Sequence, residues 1–330
     1  MNPREALGEI ATLLERERSS RYRSQAFRAA ADAIAGLTDE QLRDAAALRR
    51  RKGIGESSLA VIQEALAGEV PRYLQELRDR AGAERVSELR ALLRGDLHTH
   101  SDWSDGLTPI ALMVDAARAL GHEYFALTDH SPRLRVARGL SPERLREQVG
   151  VVAGINASGP GVTVLTGIEV DILEEGGLDQ QPELLTELDV VVASAHSKLR
   201  MEAPAMTRRL VAAASDPLVN VLGHVTGRLV EGSRGMRPPS SFDARAVFDA
   251  CAENGVAVEI NSRPERQDPP DELIALALES GCLFSIDSDA HAPGQLSLLD
   301  HGAERAQRCG VPAERIVTTW PLERLRTWLG

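Results

Sequence analysis

Six of the eight histidines in this 330-residue chain stand at the ends of short apolar runs. His98-Thr99-His100 follows Asp96-Leu97, and His130 follows Ala126-Leu127-Thr128-Asp129. His196 follows Val191-Val192-Ala193-Ser194-Ala195, and His224 follows Val221-Leu222-Gly223. His291 closes Ile286-Asp287-Ser288-Asp289-Ala290, while Glu169 and Asn261 end two further runs. Imidazole and carboxylate are ligands for zinc, manganese and iron. Crowded together without a cation, they would suffer large desolvation and charge penalties. The pattern therefore reads as a metal site. Side chains alternate along an extended strand, so His98 and His100 share a side, as do Asp289 and His291. The turn Ser104-Asp105-Gly106 can fold Asp105 back toward them. Nine candidate ligands result: His98, His100, Asp105, His130, Glu169, His196, His224, Asp289 and His291. Nine are too many for one tetrahedral ion and suit a cluster of two or three with a bridging carboxylate. His122 and His301 fall in helical or loop contexts and stay outside the set.

The elements that must position these residues follow from hydrophobic periodicity. Short β-branched runs at 95–97, 124–128, 162–168, 190–195, 219–223, 256–260 and 283–286 alternate with helical stretches such as 109–120, 208–214, 244–254 and 271–280. Seven such alternations predict a parallel α/β barrel, whose active site belongs at the C-terminal strand ends. Residues 1–80 read instead as helix after helix. Ala6, Ile10, Leu13 and Leu14 recur at helical spacing, and Tyr22, Ala26, Phe27, Ala30 and Ile34 are expected on one face of a second helix. Thr38 and Gln41 form a capping-box start. The chain thus divides into a helical domain at 1–82, a short helical link at 83–93 and a barrel at 94–330.

Composition narrows the class. The net charge is −11, with 14 basic against 13 acidic residues up to position 82 and 24 against 36 beyond it. The acidity lies where carboxylates would hold cations, and an acidic surface is a poor general partner for nucleic acid. The near-neutral first part has a local basic run, Arg49-Arg50-Arg51-Lys52. Three scattered cysteines argue for a reducing compartment and against disulfides. No apolar run approaches a membrane span and the first residues lack a signal-peptide core, so a cytoplasmic location is expected.

The opening His98-Thr99-His100-Ser101 with Ser104-Asp105-Gly106, then Thr128-Asp129-His130, Glu169, His196-Ser197-Lys198, Gly223-His224 and Asp289-Ala290-His291, resembles the PHP (polymerase and histidinol phosphatase) family. The resemblance covers residues 94–330 and implies a distorted (β/α)7 TIM-like barrel with a trinuclear divalent metal centre of manganese, zinc or iron. It implies one metal on His98, His100, Glu169 and Asp289. A second would sit on Glu169, His196 and His224, and a third on Asp105, His130 and His291. His196-Ser197-Lys198-Leu199, the run from Gly223 to Arg228 and Val258-Glu259-Ile260-Asn261 are similar to the C-terminal domain of bacterial family X DNA polymerases. Residues 1–80 resemble the small helical domain that opens those enzymes, with a helix-hairpin-helix at Gly53-Ile54-Gly55. Two departures matter. The polymerase palm is absent, so no nucleotidyl transfer is expected. The position of the Schiff-base lysine of lyase-active relatives is Val61 here, so lyase activity is not expected either.

The chemistry this implies is hydrolysis of a phosphate ester, with hydroxide activated by the metals attacking phosphorus in line. Lys198, Arg228 and Arg263, just beyond strand ends, are the candidates to orient the non-bridging oxygens, and Asn261 is a candidate substrate contact. Arg51, Lys52, Gly53, Ile54, Gly55 and Ser57 are the candidate DNA contacts, made to the backbone irrespective of sequence. The expected activity is that of a nuclease on DNA ends in repair: a 3′–5′ exonuclease, with 3′-phosphatase or abasic-site endonuclease activity as variants. The alternative is a small-molecule phosphatase of the histidinol-phosphate type. Nothing in the sequence names a protein partner.

Overall fold

The computed structural model describes residues 1–17, 19–81, 87–159, 161–231 and 235–330. The chain divides into two compact units, residues 1–85 with 292–295, and residues 86–291 with 296–330. The expected boundary at 82/83 and the first residues of the 83–93 link lie outside the described residues. Among the described residues no helix is long and apolar enough to cross a membrane.

The helical unit contains α1 (Pro3–Arg16), α2 (Arg21–Ala33), α3 (Asp39–Arg43), α4 (Ala45–Arg49), α5 (Glu56–Leu66) and α6 (Arg72–Ala81). The Asn2 side chain caps α1 by accepting from the Arg4 and Glu5 N–H groups. The capping box of α3 is present as expected: Thr38 Oγ1 accepts from the Gln41 N–H and Gln41 Oε1 accepts from the Thr38 N–H. Leu7, Ile10 and Leu14 of α1 pack with Phe27, Ala30 and Ile34, with Leu59 and Ile62 of α5, and with Leu74 and Leu77 of α6. The buried face of α2 runs through Ser24, Phe27, Ala30 and Ala31. Tyr22 therefore does not join the core as the sequence pattern indicated. It is displaced around the helix from that face and is 70% exposed. The turn from α4 to α5 depends on Gly53, whose φ of +94° is left-handed and whose added Cβ would stand 3.1 Å from the Ala29 carbonyl oxygen.

The second unit begins with α7 (Glu88–Leu92), which belongs to the barrel: Leu89 is buried in its core and Arg90 Nε lies 2.8 Å from Asp300 Oδ1. The strands are β1 (Gly95–Thr99), β2 (Tyr124–Leu127), β3 (Thr163–Asp171), β4 (Val190–Ser194), β5 (Val221–Leu222), β6 (Ala257–Asn261) and β7 (Leu283–Asp287). They pair in sequence order and all in parallel. A bridge from Thr99 to Ala290 and a hydrogen bond from the His100 N–H to the Ala290 oxygen nearly close the barrel. Helices α8 (Ile110–Ala119), α9 (Pro142–Ala157), α10 (Pro182–Leu185), α11 (Ala203–Ala214), α12 (Ala244–Asn254) and α13 (Asp271–Glu279) form the crossovers, and α14 (Leu299–Arg308) and α15 (Leu322–Leu329) follow β7. Val190 and Val192 cluster with Leu97, Ala126, Val221 and Ala257. The alternate residues Val191, Ala193, Val258 and Ile260 pack with Leu210 and Phe248 of the helices. That period of two separates an inner layer from an outer one.

Two irregularities distort the barrel at its functional end. The register of β1 against β2 slips between Asp96 and Thr99, a bulge beneath the histidine pair. Strand β3 is the longest: its first half pairs with β2 and its second half, including Glu169 opposite Val192, pairs with β4. Several strands thus run further than the apolar runs indicate. His98, Glu169 and Asn261 lie within β1, β3 and β6 rather than just after them.

Candidate metal centre

The C-terminal ends of all seven strands turn toward one small volume, and the nine candidate ligands meet there. Glu169, 1% exposed, is the hub. Its Oε1 lies 2.8 Å from His224 Nε2 and 3.2 Å from His196 Nε2. Its Oε2 lies 2.8 Å from His130 Nδ1, 3.2 Å from His98 Nε2 and 3.5 Å from His100 Nε2. Asp289 Oδ1 stands 3.5 Å from His100 Nε2, and Asp105 Oδ1 stands 3.2 Å from His291 Nε2 and 3.4 Å from His130 Nε2. The tightest groups able to share one ion are His100–Asp105–His130–His291, His98–Glu169–His224, His98–His100–Asp289 and His130–Glu169–His196. The family resemblance divides the same nine residues differently, assigning His196 and His224 to one ion. Here each of those two histidines closes a separate group on Glu169.

Local devices aim these side chains. Asp289 sits at φ +51°, a left-handed turn tolerable for Asp, so its carboxylate and the His291 ring both return to the site. Gly106 is required by crowding, since a Cβ there would fall 2.4 Å from the Ser101 oxygen. Asp129 accepts from the N–H and hydroxyl groups of both Ser101 and Ser104 and from Gln148 Nε2, fixing the loop that carries Asp105. The His196 N–H donates to Asp171 Oδ1 at 3.0 Å, and its Nδ1 is 3.3 Å from the same oxygen.

Electrostatics pull the imidazoles apart. Burial disfavours charge on His98, yet Glu169 and Glu259 outweigh it and hold its pKa well above the ordinary value. Burial likewise opposes charge on His196, but Glu169 and Asp171 raise it to about 9. His100 drops to about 3 through burial and the neighbouring His291 and His130. Burial acts against the charge on Glu169 and Asp289, but cationic neighbours hold both well below the carboxylate range.

The donor set fits divalent cations. His98 Nε2, both ring nitrogens of His100, His130 Nδ1, His196 Nε2 and Asp105 Oδ1 are buried without a hydrogen-bond partner. Buried polar atoms are rarely left so, and these converge on shared points at ligand spacing. Mixed imidazole and carboxylate ligation suits zinc, manganese and iron alike.

The other candidates divide. Arg263 lines the cavity of about 350 Å³ above the cluster. Its guanidinium donates to the Asp289 carbonyl at 2.8 Å and contacts Glu265 and His291 Nδ1, which braces the site. Arg228 and Lys198 are not among the cavity's lining residues. The Arg228 guanidinium donates to the Arg266 and Gln267 carbonyls and ties the loop after β5 to the loop after β6. Lys198 occupies a left-handed turn at φ +54°. Asn261 is completely buried, and its amide donates to Glu259 Oε2 and Asp289 Oδ2, both at 3.2 Å. In this position it braces the two carboxylates.

Sequence reasoning missed three residues with defined places. Arg237 and Arg266 line the cavity, and Arg266 Nε donates to Asp289 Oδ2 at 3.1 Å. Glu259, fully buried, faces His98 Nδ1 at 2.6 Å and accepts the His224 N–H at 2.5 Å. A carboxylate on the far ring nitrogen of a ligand histidine fixes its tautomer and raises its basicity. The clue available in the sequence was a Glu two residues before Asn261 in an otherwise apolar strand. Replacing Glu259 by Gln would turn an amide N–H toward groups that now face a carboxylate oxygen. Metal affinity, read by titration against a fluorescent chelator, is expected to fall by about 10–100-fold. Unchanged affinity would remove Glu259 from the metal-holding network.

In the helical unit Arg51, Lys52, Gly53, Gly55 and Ser57 are exposed on the hairpin turn. Ile54 is half-buried and packs against the helical core, so it anchors the turn. The Gly55 N–H is taken by Ser58 Oγ at 2.9 Å, and Glu56 pairs with Arg49 at 2.9 Å beside it.

A parallel β/α barrel whose C-terminal rim gathers histidines and carboxylates at metal-ligand spacing defines a metal-binding barrel protein. Comparison with known proteins specifies the class. The sequence profile of the PHP domain matches residues 96–263, and that of a helix-hairpin-helix domain matches residues 2–70. The chain is 33% identical over 237 residues to the DNA polymerase/3'-5' exonuclease PolX of Bacillus subtilis, a match spanning 72% of this chain and 41% of that one. The chain thus corresponds to less than half the length of that relative. It is 26% identical over 234 residues to a probable phosphatase of Acetivibrio thermocellus, covering 68% of this chain and 90% of that one. Among solved structures it is similar to a histidinol phosphate phosphatase of Lactococcus lactis complexed with zinc, L-histidinol and phosphate. That likeness has a TM-score of 0.45 and 19% identity over 66% of this chain and 94% of that one. The chain belongs to the PHP family, and its barrel is a PHP phosphoesterase domain.

Proposed function

We propose that the protein hydrolyses phosphodiesters at DNA ends, as a 3′–5′ exonuclease with 3′-phosphatase and abasic-site endonuclease action as related activities, in DNA repair. The observation that carries this reading is the joining of a PHP barrel to a helix-hairpin-helix domain in one chain. A small phosphate ester gives no reason for a phosphate-backbone reader. The similarity to the Bacillus subtilis polymerase/exonuclease supports the same substrate class. Polymerase activity is not part of the proposal.

Three divalent ions, manganese, zinc or iron, would be held by His98, His100, Asp105, His130, Glu169, His196, His224, Asp289 and His291. When bound, such ions lower the pKa of water and neutralise charge on phosphoryl oxygens. The protein's own residues supply the rest. Glu169, whose two oxygens face different histidines, would help to hold more than one ion. Arg263 and Arg266 fix Asp289 from behind. Arg237 and Arg266 line the cavity where non-bridging oxygens would lie.

DNA would be held by Arg51, Lys52, Gly53 and Ser57 through phosphate contacts that ignore base identity, the Gly55 N–H being engaged by Ser58 Oγ. Replacing Arg51 and Lys52 by Ala is expected to weaken DNA binding and reduce the slope of log affinity against log salt by about two, one for each lost phosphate contact. Fluorescence anisotropy from low to high salt would show this. An unchanged slope would move the DNA contact elsewhere.

The substrate class is tested by assaying the metal-reconstituted protein side by side on 5′-labelled DNA with a recessed 3′ end, on 3′-phosphorylated DNA and on histidinol phosphate. Stepwise shortening or 3′-dephosphorylation of DNA is the expected result. Phosphate release from histidinol phosphate alone would sink the DNA reading and favour a small-molecule phosphatase.

A further inference from the structure

Asp105 stands apart from the other eight candidate ligands. Its side chain is 37% exposed, against 17% for His291, the next most open. It is also the ligand carried furthest beyond its strand, since β1 ends at Thr99. It belongs to the group His100–Asp105–His130–His291 and to none of the other three. A ligand on an open loop binds well only if the loop is already held, because ordering left to the moment of binding weakens affinity. The Asp129 carboxylate holds this loop by the N–H and hydroxyl groups of Ser101 and Ser104. At its far end the Leu107 N–H donates to the His291 carbonyl at 2.7 Å.

The carbonyls of the same loop are taken by two arginines from the segment between β2 and α9. Arg138 donates to the Asp102 carbonyl at 2.9 Å and to the Ser104 carbonyl. Arg144, in the first turn of α9, donates to the Trp103 carbonyl and, at 2.9 Å, to the carbonyl of Arg138 itself. Three consecutive carbonyls just before Asp105 are thus engaged by guanidinium groups. Arg138 sits at φ +57°, a left-handed conformation uncommon for a residue other than glycine. Its segment begins and ends on His130, whose carbonyl accepts the Leu140 N–H at 2.7 Å. The arginines therefore tie the loop that bears Asp105 to the loop rooted at His130, and both residues belong to the same metal group.

We infer that Arg138 and Arg144 are positioning residues for a single ion: they set the place of Asp105, and with it the affinity of the ion shared by His100, Asp105, His130 and His291. The inference rests on the metal-centre reading and is independent of which phosphate ester is the substrate. Charge and position act here in opposite directions. Removing two cations from the neighbourhood of Asp105 would, by charge alone, tighten the binding of a divalent ion. Releasing the loop would weaken it. Position dominates, because the charge on Arg138, an exposed residue, is screened by solvent and salt, whereas the ordering of a loose ligand is subtracted from the binding free energy directly.

The test is titration of the metal-stripped full chain with zinc against a fluorescent chelator, which resolves the number of ions and the affinity of each. In the double variant Arg138→Ala with Arg144→Ala, one ion is expected to weaken by about tenfold or more, while the others stay within about twofold of wild type. Arg138→Ala alone, at an exposed position, is expected to show the same selective loss on a smaller scale, and it carries the test if the double variant does not fold. In an Asp105→Asn background the two alanines are expected to have no further effect, since the ligand they position is already lost. Tighter binding, unchanged binding, an equal loss at every ion, or a further loss in the Asp105→Asn background overturns the inference and leaves the metal centre standing. An Asp105→Asn variant with every affinity unchanged removes Asp105 from the centre itself, and the inference falls with it.

Discussion

Glu169→Gln is expected to reduce phosphodiester hydrolysis by about a thousandfold or more, the scale of losing a preorganised electrostatic element. No other side chain of the site reaches as many candidate ligands: its two oxygens approach five histidines between 2.8 and 3.5 Å. The amide would lose the negative charge that offsets several imidazoles or metal ions, and would aim an N–H at a position built for acceptors. The strand should persist, since β3 is held on both sides by β2 and β4 through its backbone. Steady-state rates and bound-metal analysis on the same preparation check this. Full metal content with wild-type kcat would remove Glu169 as the hub of the centre.

Chelation should have the second largest effect. Ions that bind the folded barrel and not the unfolded chain stabilise it by about 4 kcal/mol each at a thousand times Kd. For a domain of the barrel's size each kcal/mol shifts Tm by about 2–4 °C. Stripping the protein with a chelator is therefore expected to lower the barrel's Tm by about 10 °C or more, and restoring manganese or zinc should reverse it. The direction follows from the gathering of six imidazoles and three carboxylates at one site, most of them buried, with several ring nitrogens left without hydrogen-bond partners. A Tm that stays within about 2 °C after verified metal removal would mean that the cluster is held by hydrogen bonding alone.

Much of this was legible in the sequence because strand period and ligand type coincide. The apolar runs ending in His98, His130, Glu169, His196 and His224 mark the barrel strands and the site together, and the structure gathers all nine candidate ligands into four overlapping groups. Exposure and loop closure were less legible. Arg228 and Arg263 look equivalent in sequence, each a short step past a strand. The structure turns Arg228 onto the carbonyls of Arg266 and Gln267, and buries Arg263 against Asp289. Asn261 reads as a substrate group because it ends a strand, yet the extra ladder pair with Asp287 carries it inward to Glu259. Glu259, Arg237 and Arg266 gave little signal because their roles depend on contacts between distant segments. In the helical unit the capping box at Thr38 was readable, whereas the orientation of Tyr22 depended on which face of α2 its neighbours cover.

The central claim is that one multinuclear centre in the barrel cleaves DNA ends. Its most direct test is to load the metal-stripped full chain stepwise with manganese while following the shortening of 5′-labelled DNA with a recessed 3′ end and the bound metal by elemental analysis. The account predicts no cleavage without metal, and a rate that climbs to a plateau near about three ions per chain, with no plateau activity in His130→Ala. Cleavage by the stripped protein, or full activity in His130→Ala, would contradict it.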